Sequence, residues 1–311
     1  MMASVLLCRL GATHRQSAGA FFKFLRRSVT SRPLEGLRTS DEVESPYDKG
    51  NRLDYNPHSP ESTLRYLILS DIHSNAEALE KCLEIARGHY DEALCLGDLV
   101  GYGPDPNSVT DRIRGVARII LRGNHDKACC GLTNAEDFNP LARLATLWTR
   151  QNLTPEHTQF LRELAPGPVD LEDFELVHGS PKDEDEYLFD ARGAREALCQ
   201  QRTQVVLFGH THYQGGFRLD AKGQIEVIHI PYEDDERTHT MPLEPGSRYL
   251  INPGSVGQPR DGDWRAAFAV FDSDHHSVEY YRTPYDLPAV QAKMHHAGLP
   301  EPLIKRLEIG R

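Results

Sequence analysis

The sequence lacks several features that would assign it to other classes of protein. No run of 18 apolar residues occurs in it, so it predicts no membrane-spanning helix. Its six cysteines form no C-x-x-C pair, which argues against a structural zinc site built from thiolates. We find neither an internal repeat nor a low-complexity tract. Together these absences predict a globular protein that folds in a reducing compartment.

Acidic residues are missing from the amino-terminal segment, although the whole chain carries a net charge of −11. Residues 1–34 contain six Lys or Arg, and the first acid is Glu35. In a helix, Phe21, Phe24 and Leu25 would lie opposite Lys23 and its neighbouring arginines. This pattern predicts an organellar targeting peptide, mitochondrial or, alternatively, chloroplast. We therefore expect a mitochondrial-matrix protein, or a cytoplasmic one if the segment is only a basic tail.

The acidic remainder of the chain has no general attraction for a nucleic-acid backbone. A long nucleic acid is therefore not expected as a partner, whereas a single nucleotide held by metal ions remains compatible with this charge. The oligomeric state is not predicted by any pattern in the sequence.

The chain divides into four segments by composition. Residues 35–62 are polar, contain several prolines and predict a linker. From residue 63 to 285, short apolar runs alternate with helical patterns, first in a strand–helix–strand rhythm that predicts parallel βαβ units and later as antiparallel strands. A helical insertion is expected at about 139–165, where it forms either a lid or substrate wall, or a plain packing element. Residues 286–311 predict a helical extension. The fold class is α/β, with α+β character at its end.

Metal-ligand residue types recur where the predicted strands end. In an open sheet, groups at the carboxyl ends of strands converge on one crevice. Alternate residues of an extended segment face the same side, so D-x-H and H-x-H pairs can each bind a common cluster. The residues concerned are Asp71, His73, Asp98, Asn124, His125, Asp126, His178, His210 and His212.

These residues suggest two metal ions rather than one. Mixed carboxylate, amide and imidazole ligands suit Mn, Fe or Zn better than Ca. They are too numerous for one tetrahedral zinc ion and sufficient for two five- or six-coordinate ions. The expected cofactor is therefore a pair of divalent ions.

The ordered motifs D-x-H, G-D, G-N-H-D, H-G and G-H-x-H over residues 64–283 resemble those of the calcineurin-like metallophosphoesterase superfamily. Within it, the segments 70–75, 96–104 and 252–260 are similar to the small bacterial-type branch of predicted phosphoesterases. The resemblance implies a four-layer αββα sandwich with the metal ions at its rim. It also implies that Asp71, His73 and His212 bind the first ion, that Asn124, His178 and His210 bind the second, and that Asp98 bridges both.

The expected activity is hydrolysis of a phosphoester, a monoester or diester that includes nucleotides among its candidates, by metal-bound hydroxide. His125 is expected to protonate the leaving oxygen as a general acid. For Asp126 two roles remain open: it orients His125, or it caps the loop. Arg260 and Arg122 are candidates for phosphate binding, and for Arg122 a structural ion pair is an equal alternative.

One difference in the G-D motif argues against assignment to the Ser/Thr protein phosphatases of this superfamily. Its Ser/Thr protein phosphatases carry G-D-x-x-D-R-G, whereas this chain has Gly97-Asp98-Leu99-Val100-Gly101-Tyr102-Gly103. A protein phosphatase therefore stays an alternative, and a non-catalytic scaffold on the same fold is the alternative from another class.

Overall fold

The structure is a computed structural model that describes residues 64–232 and 237–311. The predicted targeting peptide (1–34) and linker (35–62) lie outside the described residues. Within the described ranges, no helix is long and apolar enough to span a membrane.

The described residues contain twelve strands. They are β1 (Arg65–Leu69), β2 (Glu92–Cys95), β3 (Ala117–Ile120), β4 (Val169–Leu171), β5 (Phe174–Leu176), β6 (Val205–Leu207), β7 (Gly215–Leu219), β8 (Ile225–His229), β9 (Thr238–Pro242), β10 (Arg248–Asn252), β11 (Ala266–Asp272) and β12 (Ser277–Thr283).

Eight helices accompany them in the same part of the chain. They are α1 (Ala76–Ala86), α2 (Pro106–Arg114), α3 (Asn124–Cys129), α4 (Pro140–Asn152), α5 (Pro155–Glu163), α6 (Ala191–Gln200), α7 (Leu287–His296) and α8 (Glu301–Arg306).

The strands form two six-stranded sheets, in the orders β3-β2-β1-β11-β12-β9 and β4-β5-β6-β10-β7-β8. In the first sheet β1, β2 and β3 are parallel, and β11 joins β1 antiparallel. In the second, β5, β6 and β10 are parallel and β7 joins β10 antiparallel. The predicted change from parallel units to antiparallel strands is thus observed. In addition, β10 runs parallel to β6, a pairing that the local pattern did not indicate.

Strand β1 explains the layering, because both of its faces are apolar. Tyr66 and Ile68 belong to the core between the two sheets, whereas Leu67 and Leu69 pack towards the helices outside the first sheet. Helices α1 and α2 contact the first sheet, and α6 contacts the second. The layers therefore run helix, sheet, sheet, helix, which confirms the expected αββα sandwich.

The helix ends follow local capping rules. Asn75 accepts a hydrogen bond from the Ala78 amide at 3.1 Å and starts α1. Thr154 caps α5 through the His157 amide at 3.1 Å, before Pro155 at the first position. Helices α2, α3 and α6 were not predicted, whereas α8 lies within the predicted helical extension of residues 286–311.

The helical insertion, α4 and α5, packs against α3. Ala142, Ala145, Phe160 and Leu161 contribute to the core on that side, so the insertion is a packing element. The segment before it, including Phe138, also lines a cavity beside the site described below. The insertion therefore packs against the core and, with the segment before it, forms a wall of the cavity. The carboxyl-terminal helices α7 and α8 pack into the same core.

Candidate metal centre

The carboxyl ends of five parallel strands deliver the candidate ligands to one place. Strand β1 leads to Asp71 and His73, and β2 leads to Asp98. Helix α3 begins just after β3 and carries the next residue of the set, Asn124. In the second sheet β5 precedes His178, and β6 precedes the 210–212 pair. All of these side chains are at most 2% exposed apart from that of Asn124, which is half-buried.

The ligand atoms form two groups that share one residue. Asp71, His73, Asp98 and His212 make the first group, and Asp98, His178 and His210 the second, with the atoms of each group within 4.8 Å of one another. Oδ2 of Asp98 lies 3.6 Å from Nε2 of His73 and 3.5 Å from Nε2 of His178. A single carboxylate oxygen therefore faces both groups.

In both Asp71 and Asp98, one carboxylate oxygen accepts hydrogen bonds from the protein and the other faces the centre. Oδ2 of Asp71 accepts hydrogen bonds from the Ser70 hydroxyl at 2.7 Å and the His210 amide at 3.0 Å. Its Oδ1 lies 3.3 Å from Nε2 of His212. Similarly, Oδ1 of Asp98 accepts from the His125 amide at 2.8 Å, which leaves Oδ2 for the site. The protein backbone thus orients both carboxylates towards the centre.

Backbone carbonyls orient the imidazoles in the same way. Nδ1 of His73 lies 3.2 Å from the Val100 carbonyl, Nδ1 of His178 lies 2.9 Å from that of Leu96, and Nδ1 of His212 lies 2.6 Å from that of Gln258. A proton on Nδ1 leaves Nε2 of each ring free to bind a metal ion.

The ring of His210 has the opposite orientation. Its Nε2 lies 3.2 Å from the Asp185 carbonyl, so Nδ1 is the free nitrogen.

Unpartnered buried atoms support the fit of cations here. Among the described residues, Oδ1 of Asp71, Oδ2 of Asp98, Oδ1 of Asn124 and Nε2 of His178 are buried without a hydrogen-bond partner, an arrangement that is costly unless something else binds them. Two atoms that bind one ion at about 2.0–2.2 Å lie about 3.0–3.4 Å apart. The nitrogens of His73 and His212 are 3.1 Å apart. The donor set and its spacing fit metal ions.

The backbone at the centre is strained. Five of the seven candidate ligands adopt positive φ: Asp71 (53°), His73 (48°), Asp98 (54°), His210 (68°) and His212 (61°). This region costs a non-glycine residue about 1–3 kcal/mol and persists only where the surroundings impose it. Such strain is concentrated at functional sites, so its distribution marks this cluster as one.

The segment 252–260, in which the sequence indicated a family likeness and the phosphate-binding candidate Arg260, supports the ligand loops. The side-chain amide of Asn252 donates from Nδ2 to the Gly209 carbonyl at 2.9 Å, and the Ser255 hydroxyl donates to the Asp71 carbonyl at 2.7 Å. Gln258 supplies the carbonyl beside His212. These contacts hold loops from both sheets in register around the centre.

Charge compensation sets the pKa values in the centre. Burial raises the pKa of Asp71, but the imidazoles of His212 and His178 outweigh it and keep that pKa below its usual range. Burial lowers the pKa of His178, yet the carboxylate of Asp98 outweighs it and raises the pKa to about 9. Burial, with the nearby charge of His178, lowers the pKa of His210 to about 3. The carboxylates therefore stay ionised, as cation binding requires.

His125 lies beside the centre and lines the adjacent cavity. Its ring contacts those of His73, Tyr102 and Phe138, with centroids 4.9, 4.4 and 4.6 Å apart. Burial lowers its pKa to about 4, against the opposing charge of Asp98. The imidazole is thus neutral at pH 7 in the absence of substrate.

Asp126 acts as a cap. Its Oδ2 accepts from the Gly123 amide at 3.0 Å, and its Oδ1 accepts from the Val100 amide at 3.1 Å. Burial, and then the charge of Asp98, raise its pKa to about 7. Both oxygens are engaged by the backbone, which favours the capping role over orientation of His125.

The two arginines proposed for phosphate binding lie in different environments. Arg122 pairs with both oxygens of Glu184, at 2.9 and 3.2 Å, and both side chains are 16% exposed. Arg260 contacts Gln258 at 3.2 Å and the Tyr102 hydroxyl at 3.5 Å. Among the described residues it has no carboxylate within ion-pair distance. This arrangement favours a structural role for Arg122 and leaves the Arg260 guanidinium free for an anion.

Sequence reasoning missed the loop at residues 180–187, which crosses the site. Lys127 binds Glu184 at 2.9 Å and Asp185 at 2.6 Å. Tyr187 stacks on His210 with centroids 3.6 Å apart and planes at 25°. No motif signals this role, because the segment reads as a run of acids. Only the fold brings it to the centre.

Comparisons with known proteins agree with this geometry. Residues 64–276 match the sequence model of the calcineurin-like phosphoesterase superfamily domain, and the chain belongs to this superfamily. It is accordingly a hydrolase that acts on phosphoester bonds.

Individual relatives extend the likeness over most of the chain. An uncharacterized protein of Methanocaldococcus jannaschii is 33% identical over 259 residues, 78% of this chain and 97% of that protein. The crystal structure of a metallophosphoesterase from Sphaerobacter thermophilus has a TM-score of 0.70 at 39% identity, covering 80% of this chain and 100% of that one. A hypothetical protein from Pyrococcus horikoshii shares the fold, with a TM-score of 0.63 at 20% identity over 80% of this chain and 99% of its own.

Proposed function

We propose that this protein hydrolyses a small-molecule phosphoester with a dinuclear metal centre. The observation that carries the proposal is the position of Asp98 Oδ2, which faces His73 at 3.6 Å and His178 at 3.5 Å. One ionised oxygen between two sets of ligand atoms is the arrangement that a pair of bridged cations requires.

We assign the seven candidate ligands to two ions. Asp71, His73 and His212 would hold the first ion, Asn124, His178 and His210 the second, and Asp98 both. Mn, Fe and Zn suit these nitrogen and oxygen donors. When bound, the ions would supply Lewis acidity to the phosphoryl group and to a water molecule.

His125 would move the proton in the reaction. Its neutral imidazole lies beside the site, and an anionic phosphoryl group arriving there would raise its pKa and favour protonation. The protonated ring would then donate to the departing oxygen, a role worth typically about 10²–10⁴-fold in rate.

Arg260 would hold a phosphate oxygen. Its guanidinium lies near Tyr102. Burial lowers the pKa of His125 and of His212, and the charge of Arg260 adds to this lowering, an effect that reflects their proximity. A guanidinium without a carboxylate partner is suited to bind an anion.

The substrate would be a monoester or diester, with nucleotides included. The acidic chain gives no general attraction for long nucleic acids, so a small substrate is favoured.

A substrate screen tests this proposal. The purified protein would be assayed against monoesters, diesters, nucleotides and a phosphopeptide, with Mn, Fe or Zn added and with a chelator as control. We expect turnover of small phosphoesters that the chelator removes. Preferred turnover of the phosphopeptide would favour a protein phosphatase, and metal binding without any turnover would favour a scaffold.

A further inference from the structure

A cavity of about 430 Å³ opens beside the candidate metal centre. Its lining includes Asn124, His125 and His210, residues 133–135 and 137–139, and Asp185 and Tyr187. Small-molecule sites commonly have volumes of about 300–1,000 Å³. Because two candidate ligands line it, a substrate whose phosphoryl group reaches the centre would place one of its substituents in this cavity.

Aromatic rings form the apolar part of the cavity lining. Phe138 packs on His125 with centroids 4.6 Å apart, and Tyr187 stacks on His210 at 3.6 Å. Phe138 remains half-buried, so part of its ring stays accessible. Such surfaces suit a planar ring, because stacking adds to the burial of apolar area.

The charged part of the lining is unfavourable for a second phosphate. The ammonium of Lys127 is neutralised by Glu184 and Asp185. Asp137 also lines the cavity, and no cation lies within ion-pair distance of it in the described part of the chain. With Arg122 also paired to Glu184, this wall keeps one net negative charge, at Asp137, which repels an anion there and can accept hydrogen bonds from hydroxyl groups. The positive charge of Arg260 lies instead beside Tyr102.

We propose that this cavity selects a phosphoester with an uncharged aromatic substituent that carries hydroxyl groups, the chemistry of a nucleoside, and rejects a substituent with a second phosphate. The proposal rests on the proposed function, since it assigns the substrate class of the same site. Residues 133–139 would set this specificity without taking part in the chemical step.

Four phosphate esters test the aromatic ring, the hydroxyl groups and the second phosphate separately. We would measure kcat/KM on the full chain with Mn for adenosine 5′-monophosphate, ribose 5-phosphate, benzyl phosphate and adenosine 3′,5′-bisphosphate, all of which have an alkoxide leaving group. The nucleotide should exceed ribose 5-phosphate by about 10-fold, as base stacking typically provides. The bisphosphate should fall below the monophosphate. Benzyl phosphate has an aromatic ring and an alkoxide leaving group but no hydroxyl groups. A value below that of the nucleotide supports recognition of the hydroxyl groups, and an equal value would overturn that part of the proposal.

Variants then show which residues of the cavity cause this substrate preference. Phe138→Ala should lower kcat/KM for the nucleotide about 10-fold and leave ribose 5-phosphate unchanged. Asp137→Asn should narrow the gap between monophosphate and bisphosphate. Leu144→Ala, an exposed change in the same insertion, is the control and should alter neither ratio. Equal values for nucleotide and ribose 5-phosphate, or an equal loss on both in Phe138→Ala, would overturn the proposal.

A binding measurement keeps this result separate from the proposed function. If no phosphoester is hydrolysed with any metal, the proposed function fails. Calorimetric titration with adenosine then tests the cavity alone. Binding that Phe138→Ala weakens supports the subsite, and absence of binding at millimolar adenosine overturns it.

Discussion

The backbone amide of His125 donates a hydrogen bond to Oδ1 of Asp98 at 2.8 Å. The other oxygen of the same carboxylate faces His73 and His178. One side chain therefore connects both groups of candidate ligands and the start of the helix that carries the candidate proton donor. Changes at Asp98 should consequently act on metal binding and on the chemical step together.

Replacement of Asp98 by Asn tests the bridging assignment. The amide keeps the shape but loses the negative charge, so we expect both ions to bind more weakly and turnover to be abolished. Metal content by mass spectrometry and nitrophenyl phosphate hydrolysis would measure this. Asp173→Asn, an exposed acid in the β4–β5 turn, is the matched control. Two fully occupied ions with normal activity in Asp98→Asn would contradict the assignment.

Replacement of His125 by Ala tests proton donation. A poor leaving group such as an alkoxide needs protonation, whereas a nitrophenolate leaves as an anion. We therefore expect two bound ions and a rate loss about 10–10³-fold larger on alkyl esters than on nitrophenyl esters, about 1.4–4 kcal/mol of barrier. An equal loss on both substrates argues against a general acid. Loss of an ion from the variant would make His125 a ligand.

Replacement of Gly209 by Ala tests the packing against Asp71. A Cβ at this position would lie 2.0 Å from the Ser70 hydroxyl and 2.9 Å from Oδ2 of Asp71. Gly209→Ala should displace both groups and weaken metal binding by about 10–100-fold, the usual effect of losing an outer support. Competition with a chelating dye would measure the affinity.

Gly193 provides the matched control for that glycine variant. It lies in α6, where a Cβ would find its nearest atom at 3.6 Å, an ordinary contact. Gly193→Ala should leave metal affinity unchanged and stabilise the fold by about 0.5–1 kcal/mol. Unaltered metal binding in Gly209→Ala would show that this contact does not support Asp71.

The variants of Arg122 and Arg260 should differ in their effects on stability and on kcat/KM. Arg122→Ala breaks a partly buried pair with Glu184 and should lower the free energy of unfolding by about 1–3 kcal/mol. Arg260→Ala should leave stability nearly unchanged and reduce kcat/KM, because a substrate contact is lost. Urea denaturation and steady-state kinetics give the two readouts. The opposite pattern would assign phosphate binding to Arg122.

For the amino-terminal segment, we propose that residues 1–34 direct mitochondrial import and are then removed. A fluorescent protein fused after residue 60 should appear in mitochondria, and a fusion that lacks residues 1–34 should stay diffuse. Diffuse fluorescence of the first fusion, or Met1 retained on the mature protein, would contradict this. Plastid fluorescence would support the alternative organelle.

The sequence by itself was sufficient for the identity of the candidate ligands, and its resemblance to the superfamily implied the layers. The continuous apolar run of β1 and the cap at Asn75 are local features, so strand and helix positions follow from short segments. The ligand motifs stand directly after apolar runs, and the ends of parallel strands must meet at one edge. Asp71 and Asp98 were therefore identifiable before any distance was known.

The tertiary structure alone decided which groups surround those ligands. The pair of Arg122 with Glu184 spans 62 residues, and the contact of Ser255 with Asp71 spans 184. Tyr187 reaches His210 through a loop without a sequence pattern. Local propensity acts over a few residues, whereas these contacts arise only when two sheets pack face to face. Which oxygen of Asp98 is free, and which arginine lacks an acid, depends on that packing.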